Sequence, residues 1–283
     1  MARISVFVDV QREEERLLID AARRLGHELE VINVMHSVNW IDSRPPGEEL
    51  GVSFVRCISQ SRALAVASYL HYSGVPTVNN PEVLWKAGDK LITLTLLSKR
   101  GIRVPETAVA YSRTDAIRAA ERLGYPVVIK PIHGSWGRYV MKAHDPDSLD
   151  DILDLKETVA NPTFKIHLIQ RYIEKPGRDI RAFYLWGEVP VAIYRVSESW
   201  KTNTARGARA VPAKLDNEVV EVAVKAGDFI GGGVLGIDLM EDREGEVYVS
   251  EVNGIIEFRN TVRVTNYDLP AEMIERSIKE LRR

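Results

Sequence analysis

The chain has 283 residues, of which 45% are hydrophobic and 28% charged, and its formal net charge is −2. This composition is typical of a globular protein with one large domain or two to three smaller ones, and it excludes a largely disordered chain. The near-neutral charge gives no overall positive field, so we expect no nucleic-acid partner. Cys57 is the only cysteine, which excludes an intramolecular disulfide and a cysteine-based zinc site.

No apolar run is long enough to cross a bilayer, and no basic start is followed by an apolar stretch of the signal-peptide kind. We therefore expect no membrane association and a cytoplasmic location.

The first segment, residues 1–84, alternates strands with helices. The strand-like runs are "ISVFVDV", "LEVINV", "VSFVRCI" and "VPTVNN", and helical stretches cover residues 13–26 and 63–73. Strands that alternate with helices predict parallel crossover units on a sheet covered by helices. This segment is predicted to form an N-terminal α/β domain.

Two further segments follow, at residues 85–167 and 168–283. The first begins with a long helix in "EVLWKAGDKLITLTLLSKRG", closed by Gly101, and ends with a strand, a glycine-containing turn and a strand in "YPVVIKPIHGSWGRYVMKAH". The second begins with "LIQRYI", passes through several strands and ends with a helix over 271–283. Three units are therefore predicted along the chain.

The run "VYVSEVNGIIEFRNTVRVT" places Glu251 and Asn253 two residues apart. Residues i and i+2 of a strand share a face, so we expect both to lie on the same buried face as Val249. The preceding "VLGIDLM" reads as the partner strand of a hairpin. A loop over 243–246 pairs Met240 with Val249, Asp238 with Glu251 and Gly236 with Asn253.

Two carboxylates facing each other across a hairpin repel, and their burial adds a further cost. One of them is protonated, an Arg or Lys side chain intervenes, or a cation lies between them. Asp, Glu and Asn supply hard oxygen ligands, which suits Mg²⁺ or Mn²⁺ and argues against zinc. The alternative is a surface hairpin with solvated acids, and a register slip of one residue would move Glu251 to the other face.

Lys130 ends a strand and precedes the turn "HGSWGR", whose backbone N–H groups can approach an anion. A phosphate cradle is one interpretation, and a plain hairpin turn is the other. The pattern is not GxxxxGK[ST], which excludes a P-loop. Lys90, on a predicted helix, is either a second phosphate contact or a solvated lysine.

Arginines are concentrated in the third segment, where their guanidinium groups suit carboxylate or phosphate oxygens. Salt-bridged surface arginines are the alternative for each one. The candidates, with nearby polar residues, are Arg178, Arg181, Arg195, Arg206, Asp179 and Asn203.

Six stretches in this order span the chain: "GDK" with Lys90, "VVIKPIHGSWGR", "IQRYIEKPGRDIR", "NTARG", "GIDLM" with Asp238, and "SEVNGIIEFRN" with Glu251 and Asn253. Together they resemble the ATP-grasp ligases of the RimK type. The stretches "GSWGR", "EKPGRDIR" and "NTARG" are similar to the LysX/ArgX branch, which joins α-aminoadipate or glutamate to the amino-group carrier protein LysW. The resemblance implies an ATP-grasp fold of α/β and α+β type behind the N-terminal α/β domain.

The resemblance also implies an ADP-forming carboxylate-amine ligase that uses ATP and two Mg²⁺ ions, or Mn²⁺. Asp238, Glu251 and Asn253 match the metal ligands of the family. Nucleotide contacts are implied for Lys90, Lys130, Gly134, Ser135, Trp136, Gly137, Arg138, Gln170, Arg171, Tyr172, Ile173, Asp179 and Asn203. Arg195 and Arg206 are the catalytic candidates, for stabilising the acyl phosphate, and the glycine turn is the candidate lid.

Further implied partners are an acidic LysW-type carrier protein, α-aminoadipate or glutamate as the amine, and a second copy of the chain in a dimer or tetramer. Arg181, Asn260 and Thr261 are the candidates for binding the amino acid. At positions 260 and 261, Asn followed by Thr or Ser resembles the aminoadipate type of this branch, whereas Gly followed by an apolar residue resembles the glutamate type. One methylene discriminates only weakly, so use of both amino acids stays open.

Two other functions stay open. One is a ligase that adds glutamate to another protein or builds polyglutamate tails, as other RimK relatives do. The other is an inactive nucleotide sensor that retains the fold, and the intact set of metal-ligand candidates argues against it.

Overall fold

A computed structural model describes residues 1–43, 45, 51–204 and 207–281. The strands are β1 (Arg3–Val8), β2 (Glu28–Asn33), β3 (Val52–Val55), β4 (Thr77–Val78), β5 (Thr107–Ala110), β6 (Val127–Lys130), β7 (Met141–Ala143), β8 (His167–Arg171), β9 (Arg178–Leu185), β10 (Glu188–Val196), β11 (Arg209–Pro212), β12 (Val234–Glu241) and β13 (Val247–Asn253).

The helices are α1 (Glu13–Arg24), α2 (Gln60–Tyr72), α3 (Pro81–Gly88), α4 (Lys90–Lys99), α5 (Arg113–Leu123), α6 (Pro146–Thr158), α7 (Asn217–Ile230), α8 (Arg259–Thr265) and α9 (Leu269–Leu281). Within the described ranges, none of them is both long and apolar enough to cross a membrane.

The N-terminal sheet has the order β2-β1-β3-β4 and is parallel throughout, as the alternation of strands and helices predicts. Its central strands are almost completely buried because helices cover them. On one side the sheet packs into a core that also contains Phe258 and Met273 from the end of the chain. The N-terminal sheet is therefore attached to the C-terminal segment by a shared core.

The central sheet has the order β5-β8-β6-β7 and is antiparallel. Strands β6 and β7 flank the glycine turn as predicted. The predicted boundary at Leu168 falls inside β8, which pairs with β5 and β6 of this sheet. The limits of the three domains stay a prediction.

The C-terminal sheet has the order β11-β10-β9-β12-β13 and is antiparallel. Helix α7 packs on its apolar face, where Ala223, Ala226 and Ile230 are fully buried against strand residues. The opposite face carries polar side chains at alternate positions, because successive residues of a strand point to opposite sides. That polar face is where the candidate site lies.

The prediction of a single helix over 82–101 is wrong. The helix is interrupted at Asp89, and the segment forms two helices, α3 and α4. Asp89 has extended backbone angles, and its Oδ1 accepts hydrogen bonds from the backbone N–H groups of Leu91 and Ile92. An aspartate that caps a helix in this way satisfies donors that have no partner within the helix. Lys90 is therefore the first residue of α4 and lies at the break.

The hairpin register is confirmed at the site and wrong near the loop. Asp238 pairs with Glu251 and Gly236 with Asn253, as predicted, but Met240 pairs with Tyr248 instead of Val249. The loop has one residue more than predicted. Asp242 belongs to the loop, and its Oδ1 accepts hydrogen bonds from the backbone N–H groups of Glu244 and Glu246.

A bulge at Ser250 compensates for the longer loop. Val249 and Val252 therefore both join the apolar core, and Glu251 lies on the opposite face from Val249. The expectation that Glu251 shares the face of Val249 is wrong for this reason.

Candidate active site

Two connected spaces lie against the polar face of the C-terminal sheet. The narrow cleft, of about 100 Å³, is lined from both the central and the C-terminal sheet. The wide cavity, of about 490 Å³, extends toward α1 and α8. The residues lining both are Gly134, Ser135, Arg195, Asn203, Asp238 and Glu251.

The narrow cleft collects nearly all of the residues predicted to contact a nucleotide. Of that set, only Trp136 is absent from its lining and lines the wide cavity instead. The predicted residues present are Lys90, Lys130, Gly134, Ser135, Gly137, Arg138, Gln170, Arg171, Tyr172, Ile173, Asp179 and Asn203.

Both predicted phosphate-contacting lysines are held in place by hydrogen bonds. Lys90 Nζ donates to the carbonyl of Gly134 at 2.6 Å and lies 3.2 Å from Glu251 Oε1. Lys130 Nζ donates to Gln170 Oε1 at 2.6 Å. Burial and the nearby Lys90 lower the pKa of Lys130 to about 8, although Glu251 acts in the opposite direction. These ammonium groups are therefore ready to bind an anion in the cleft.

The glycine turn between β6 and β7 adopts backbone angles that favour glycine. Gly134 has a φ of 138° and Gly137 a φ of 63°, and Trp136 between them has a φ of 61°. Left-handed angles at a tryptophan are uncommon and persist where surrounding contacts maintain them. The turn is thus held in a defined shape.

Register across three strands of the C-terminal sheet explains the charge pattern of its polar face. Arg181 on β9 lies opposite Asp238 on β12, and Arg195 on β10 lies opposite Asp179 on β9. Residues two apart on a strand share a face, so the four side chains lie on one surface together with Glu251. Opposite charges directly across the strands are stabilising.

Asp238 is bound by two arginines. Arg181 binds both carboxylate oxygens of Asp238, and Arg195 Nη2 lies 3.2 Å from its Oδ2. Although burial acts to raise it, these two cations hold the pKa of Asp238 below its usual value. Of the three ways to compensate two facing carboxylates, the structure shows intervening basic side chains. Two arginines lie beside Asp238, and Lys90 lies beside Glu251.

Asp179 is predicted to contact the nucleotide, but its carboxylate already accepts hydrogen bonds from other side chains of the protein. Arg195 donates to both of its oxygens, at 2.6 and 2.8 Å, and Thr202 donates to Oδ2. Lys175 Nζ donates in turn to Thr202 Oγ1 at 2.7 Å. Asp179 thus orients Arg195 toward both spaces. Arg206, the other catalytic candidate, lies outside the described residues.

The wide cavity contains the residues predicted to bind the amino acid. Arg181, Asn260 and Thr261 all line it. Thr261 is fully buried in α8, and its Oγ1 has no hydrogen-bond partner among the described residues. A buried hydroxyl without a partner is costly, which is consistent with a ligand or water at this position.

Three charged residues that line the wide cavity, two of them from the N-terminal domain, were missed by sequence reasoning. Arg12 and Glu14 extend from the start of α1, and Glu257 follows β13. The available signal was the cluster of acidic residues in the first turn of α1, which also has a purely structural interpretation as a helix N-terminus. Lys175 and Thr202 of the narrow cleft were missed as well.

Comparison with protein families covers nearly the whole chain. The RimK-like ATP-grasp domain matches residues 87–277, and the LysX preATP-grasp domain matches residues 4–85. The chain belongs to the RimK-like ATP-grasp family. Family membership confirms the predicted fold class and makes the chain an ADP-forming carboxylate-amine ligase of the ATP-grasp type.

Relatives within the ATP-grasp family are similar over their full length. The α-aminoadipate–LysW ligase LysX of Sulfurisphaera tokodaii is 44% identical over 98% of each chain, and LysX of Sulfolobus acidocaldarius is 41% identical over 94% of this chain and 97% of its own. The glutamate–LysW ligase ArgX of Sulfolobus acidocaldarius is 32% identical over 96% of each chain.

Among solved structures, a RimK domain ATP-grasp protein from Sphaerobacter thermophilus superposes with a TM-score of 0.81 at 22% identity, covering 97% of this chain and 98% of its own. This likeness supports the ATP-grasp fold.

The ATP-grasp family uses ATP and Mg²⁺, and the residues present fit both. The facing Asp238 and Glu251, with Asn253 beside them, offer the oxygen donors that Mg²⁺ prefers. Asn253 Nδ2 lies 3.5 Å from Asp238 Oδ2. In the part of the chain that the structure describes, no group of three or more His, Cys, Asp or Glu side chains could hold a metal ion. The predicted set contains an amide as its third member, so it is not in conflict with this finding.

Proposed function

We propose that this ATP-grasp ligase joins the amino group of α-aminoadipate to the side-chain carboxylate of the C-terminal Glu of a LysW-type carrier protein, in lysine biosynthesis. The observation that carries the proposal is the opening of a lysine-lined cleft into a wide cavity that contains Asn260 and Thr261. The higher identity to LysX relatives than to ArgX relatives supports aminoadipate over glutamate.

The reaction has two steps. A carboxylate oxygen of the carrier bonds to the γ-phosphorus of ATP while the bond to the bridging oxygen breaks, which yields an acyl phosphate and ADP. The amine then attacks the acyl carbon, phosphate leaves with the bridging oxygen, and one proton is lost. Both reactants of the first step are anions, so positive charge in the cleft is required.

The chain supplies that positive charge from three side chains. Lys90 and Lys130 lie at the narrow cleft and neutralise phosphate oxygens of the nucleotide. Arg195 lines both spaces and is held rigidly by Asp179, so it stabilises the phosphate group at their junction. Groups already oriented before the reaction cost no reorganisation when charge develops.

Asp238, Glu251 and Asn253 would hold two Mg²⁺ ions, or Mn²⁺. When bound, these ions add positive charge beside the phosphates. Arg181 and Lys90 neutralise the two carboxylates, and they line the wide cavity and the narrow cleft, respectively.

The distal carboxylate of the amino acid is received by Asn260 and Thr261, whose side chains donate hydrogen bonds. Arg181 lines the same cavity and provides positive charge toward the substrate. A carboxylate left without such donors in a buried site would be strongly disfavoured.

The test is turnover of the purified chain with Mg-ATP, a LysW-type carrier and either amino acid. ADP release and the mass gained by the carrier are measured together. Dominant use of aminoadipate supports the proposal, and dominant use of glutamate assigns the chain to arginine biosynthesis. Comparable rates make the chain bifunctional, and activity on unrelated peptides without the carrier identifies a protein glutamate ligase.

The carrier is acidic and needs a basic docking face, and the working unit is a dimer or tetramer. Light scattering of the purified chain during size-exclusion chromatography tests the assembly. A monomer at micromolar concentration would contradict it.

A further inference from the structure

One carboxylate oxygen joins two distant parts of the chain. Glu257 Oε1 accepts a hydrogen bond from Trp136 Nε1 at 3.0 Å and another from Arg12 Nη1 at 2.9 Å. Trp136 belongs to the glycine turn, Arg12 precedes α1, and Glu257 follows β13. All three side chains line the wide cavity.

The N-terminal domain holds Glu257 in two ways, by a contact with the Glu257 side chain and by a contact with the preceding residue, Ile256. Arg12 is oriented by Glu15, which accepts from its Nε and Nη2 at 3.0 Å each. Glu15 also binds the buried Arg56, and Arg56 Nη2 donates to the carbonyl of Ile256 at 2.7 Å. Glu257 therefore presents its oxygen from a rigid, charge-neutralised support.

The glycine turn is bound at two points. Lys90 holds the carbonyl of Gly134 at the narrow cleft, whereas Glu257 holds Trp136 at the wide cavity. Trp136 has a left-handed backbone and its indole lies 4.7 Å from the guanidinium carbon of Arg138. The contact with Glu257 is one that can maintain this uncommon backbone conformation.

We propose that Glu257 is a positioning residue that holds the Trp136 indole across the wide cavity, so that the acyl phosphate meets the amine and not water. The proposal rests on the proposed function. Water attacking the acyl carbon would release phosphate and restore the carboxylate, so ATP would be consumed without product. Loss of the Trp136 contact should raise the ratio of ADP released to conjugate formed.

The decisive comparison is between Trp136→Phe and Trp186→Phe. Trp186 also has a left-handed backbone, and its Nε1 donates to Ser277 Oγ at 3.1 Å, but it lines neither space. With carrier and aminoadipate present, we expect W136F to raise the ADP-to-conjugate ratio on the order of tenfold, as loss of a hydrogen bond to a charged group implies. We expect W186F to retain the wild-type ratio.

Variants of Glu257 separate positioning from general damage. Glu257→Ala should reproduce W136F, whereas Glu257→Gln retains an oxygen acceptor and should partly restore the ratio. The KM for ATP should change less than the ratio in all of them. A raised KM with an unchanged ratio would make Trp136 a nucleotide clamp and would overturn the proposal.

A second readout does not depend on turnover. Arg138 is exposed in the glycine turn, so trypsin cleavage between Arg138 and Tyr139 reports on how firmly the turn is held. Mass spectrometry measures how fast the 1–138 fragment appears. We expect it to appear faster in W136F and E257A than in wild type and W186F. Equal cleavage rates would overturn the proposal.

The outcomes distinguish this inference from the proposed function. If the wild-type chain forms conjugate while W136F and E257A retain its ratio, only the role of Glu257 is wrong. If the wild-type chain forms no conjugate with either amino acid, the proposed function is wrong and the positioning role of Glu257 in that reaction is rejected with it.

Discussion

Asp238 and Glu251 face each other across the β12–β13 hairpin, and each is bound by basic side chains. Two carboxylates in this position would repel each other without such partners. The arrangement compensates the charge of both carboxylates and keeps their oxygens beside Arg181 and Lys90. It also predicts that the two carboxylates differ in what their removal does.

Glu251→Gln should abolish metal-dependent turnover with little effect on folding. Glu251 is partly exposed, and its buried ion-pair partner Lys90 keeps a hydrogen bond to the carbonyl of Gly134 when the charge of Glu251 is lost. We expect ADP release to fall about a hundredfold or more, as for removal of a preorganised electrostatic group. Isothermal titration with Mn²⁺ in the presence of ADP should show weakened metal binding.

The matched control for that variant is Glu244→Gln, which removes an exposed carboxylate from the loop of the same hairpin. Wild-type turnover in E244Q and a strong loss in E251Q are expected. Equal activity of the two variants would show that Glu251 is not a metal ligand.

Asp238→Asn should lose turnover and stability together. Its removal leaves Arg181 and the buried Arg195 without part of their charge compensation. Breaking a buried ion pair from one side typically costs about 3 to 5 kcal/mol. The free energy of unfolding from urea titration should therefore fall by an amount of this order in D238N, and a loss similar to that of E251Q would contradict the prediction.

The hairpin shows how far sequence reasoning extends. Alternation along each strand and a short loop correctly predict that Asp238 faces Glu251. The bulge at Ser250 was not predicted, because it results from the folding of the loop around Asp242. The longer loop shifts the pairing of the two strands by one residue, and the bulge shifts it back, so the predicted pairing of Asp238 with Glu251 is retained.

Other parts of the site have no local signal in the sequence. Arg12 and Glu257 are 245 positions apart and meet only because the N-terminal sheet and the end of the chain share a core. The helical pattern around Lys90 is compatible with a phosphate contact or a solvated lysine, and the break at Asp89 that places Lys90 at the narrow cleft was not predicted. Family resemblance predicts which residues contact the nucleotide, whereas the contacts between domains required the fold.

Lys130 should make ATP binding dependent on pH above neutrality. Burial and nearby lysines lower its pKa to about 8 in the free chain, and bound phosphate raises it again because the opposite charge favours the ammonium form. Binding above pH 8 therefore requires uptake of a proton. The affinity for Mg-ATP, measured by calorimetry, should fall by up to about tenfold per pH unit above pH 8.

Lys130→Arg is the test of that assignment, because a guanidinium stays protonated throughout the range. We expect the variant to bind Mg-ATP more weakly than wild type near neutrality, since it loses the geometry of the Gln170 contact. Its affinity should not change between about pH 7 and about pH 9.5. An unchanged slope in K130R would assign the titration to a different group.

Gly227 should be required for packing of α7 on the C-terminal sheet. A Cβ at this position would lie 2.3 Å from the ring of the buried Tyr184. Overpacking of this kind costs about 1 to 3 kcal/mol, offset in part by the better helix propensity of alanine. Urea unfolding of Gly227→Ala should show the loss, and Gly88→Ala, which meets only the flexible Gln60 side chain, should lose less.

Thr261→Val tests the amino-acid site with a change of nearly equal volume. Thr261 is fully buried, lines the wide cavity and has an Oγ1 without a hydrogen-bond partner among the described residues, so we expect the bound substrate to supply that partner. We expect kcat/KM for aminoadipate to fall about tenfold or more, through KM, because the carboxylate loses a hydrogen bond. Thr265→Val is the control: it removes a hydroxyl from the same helix that bonds only within the chain. Equal losses in the two variants would mean that Thr261 supports the helix and does not contact the substrate.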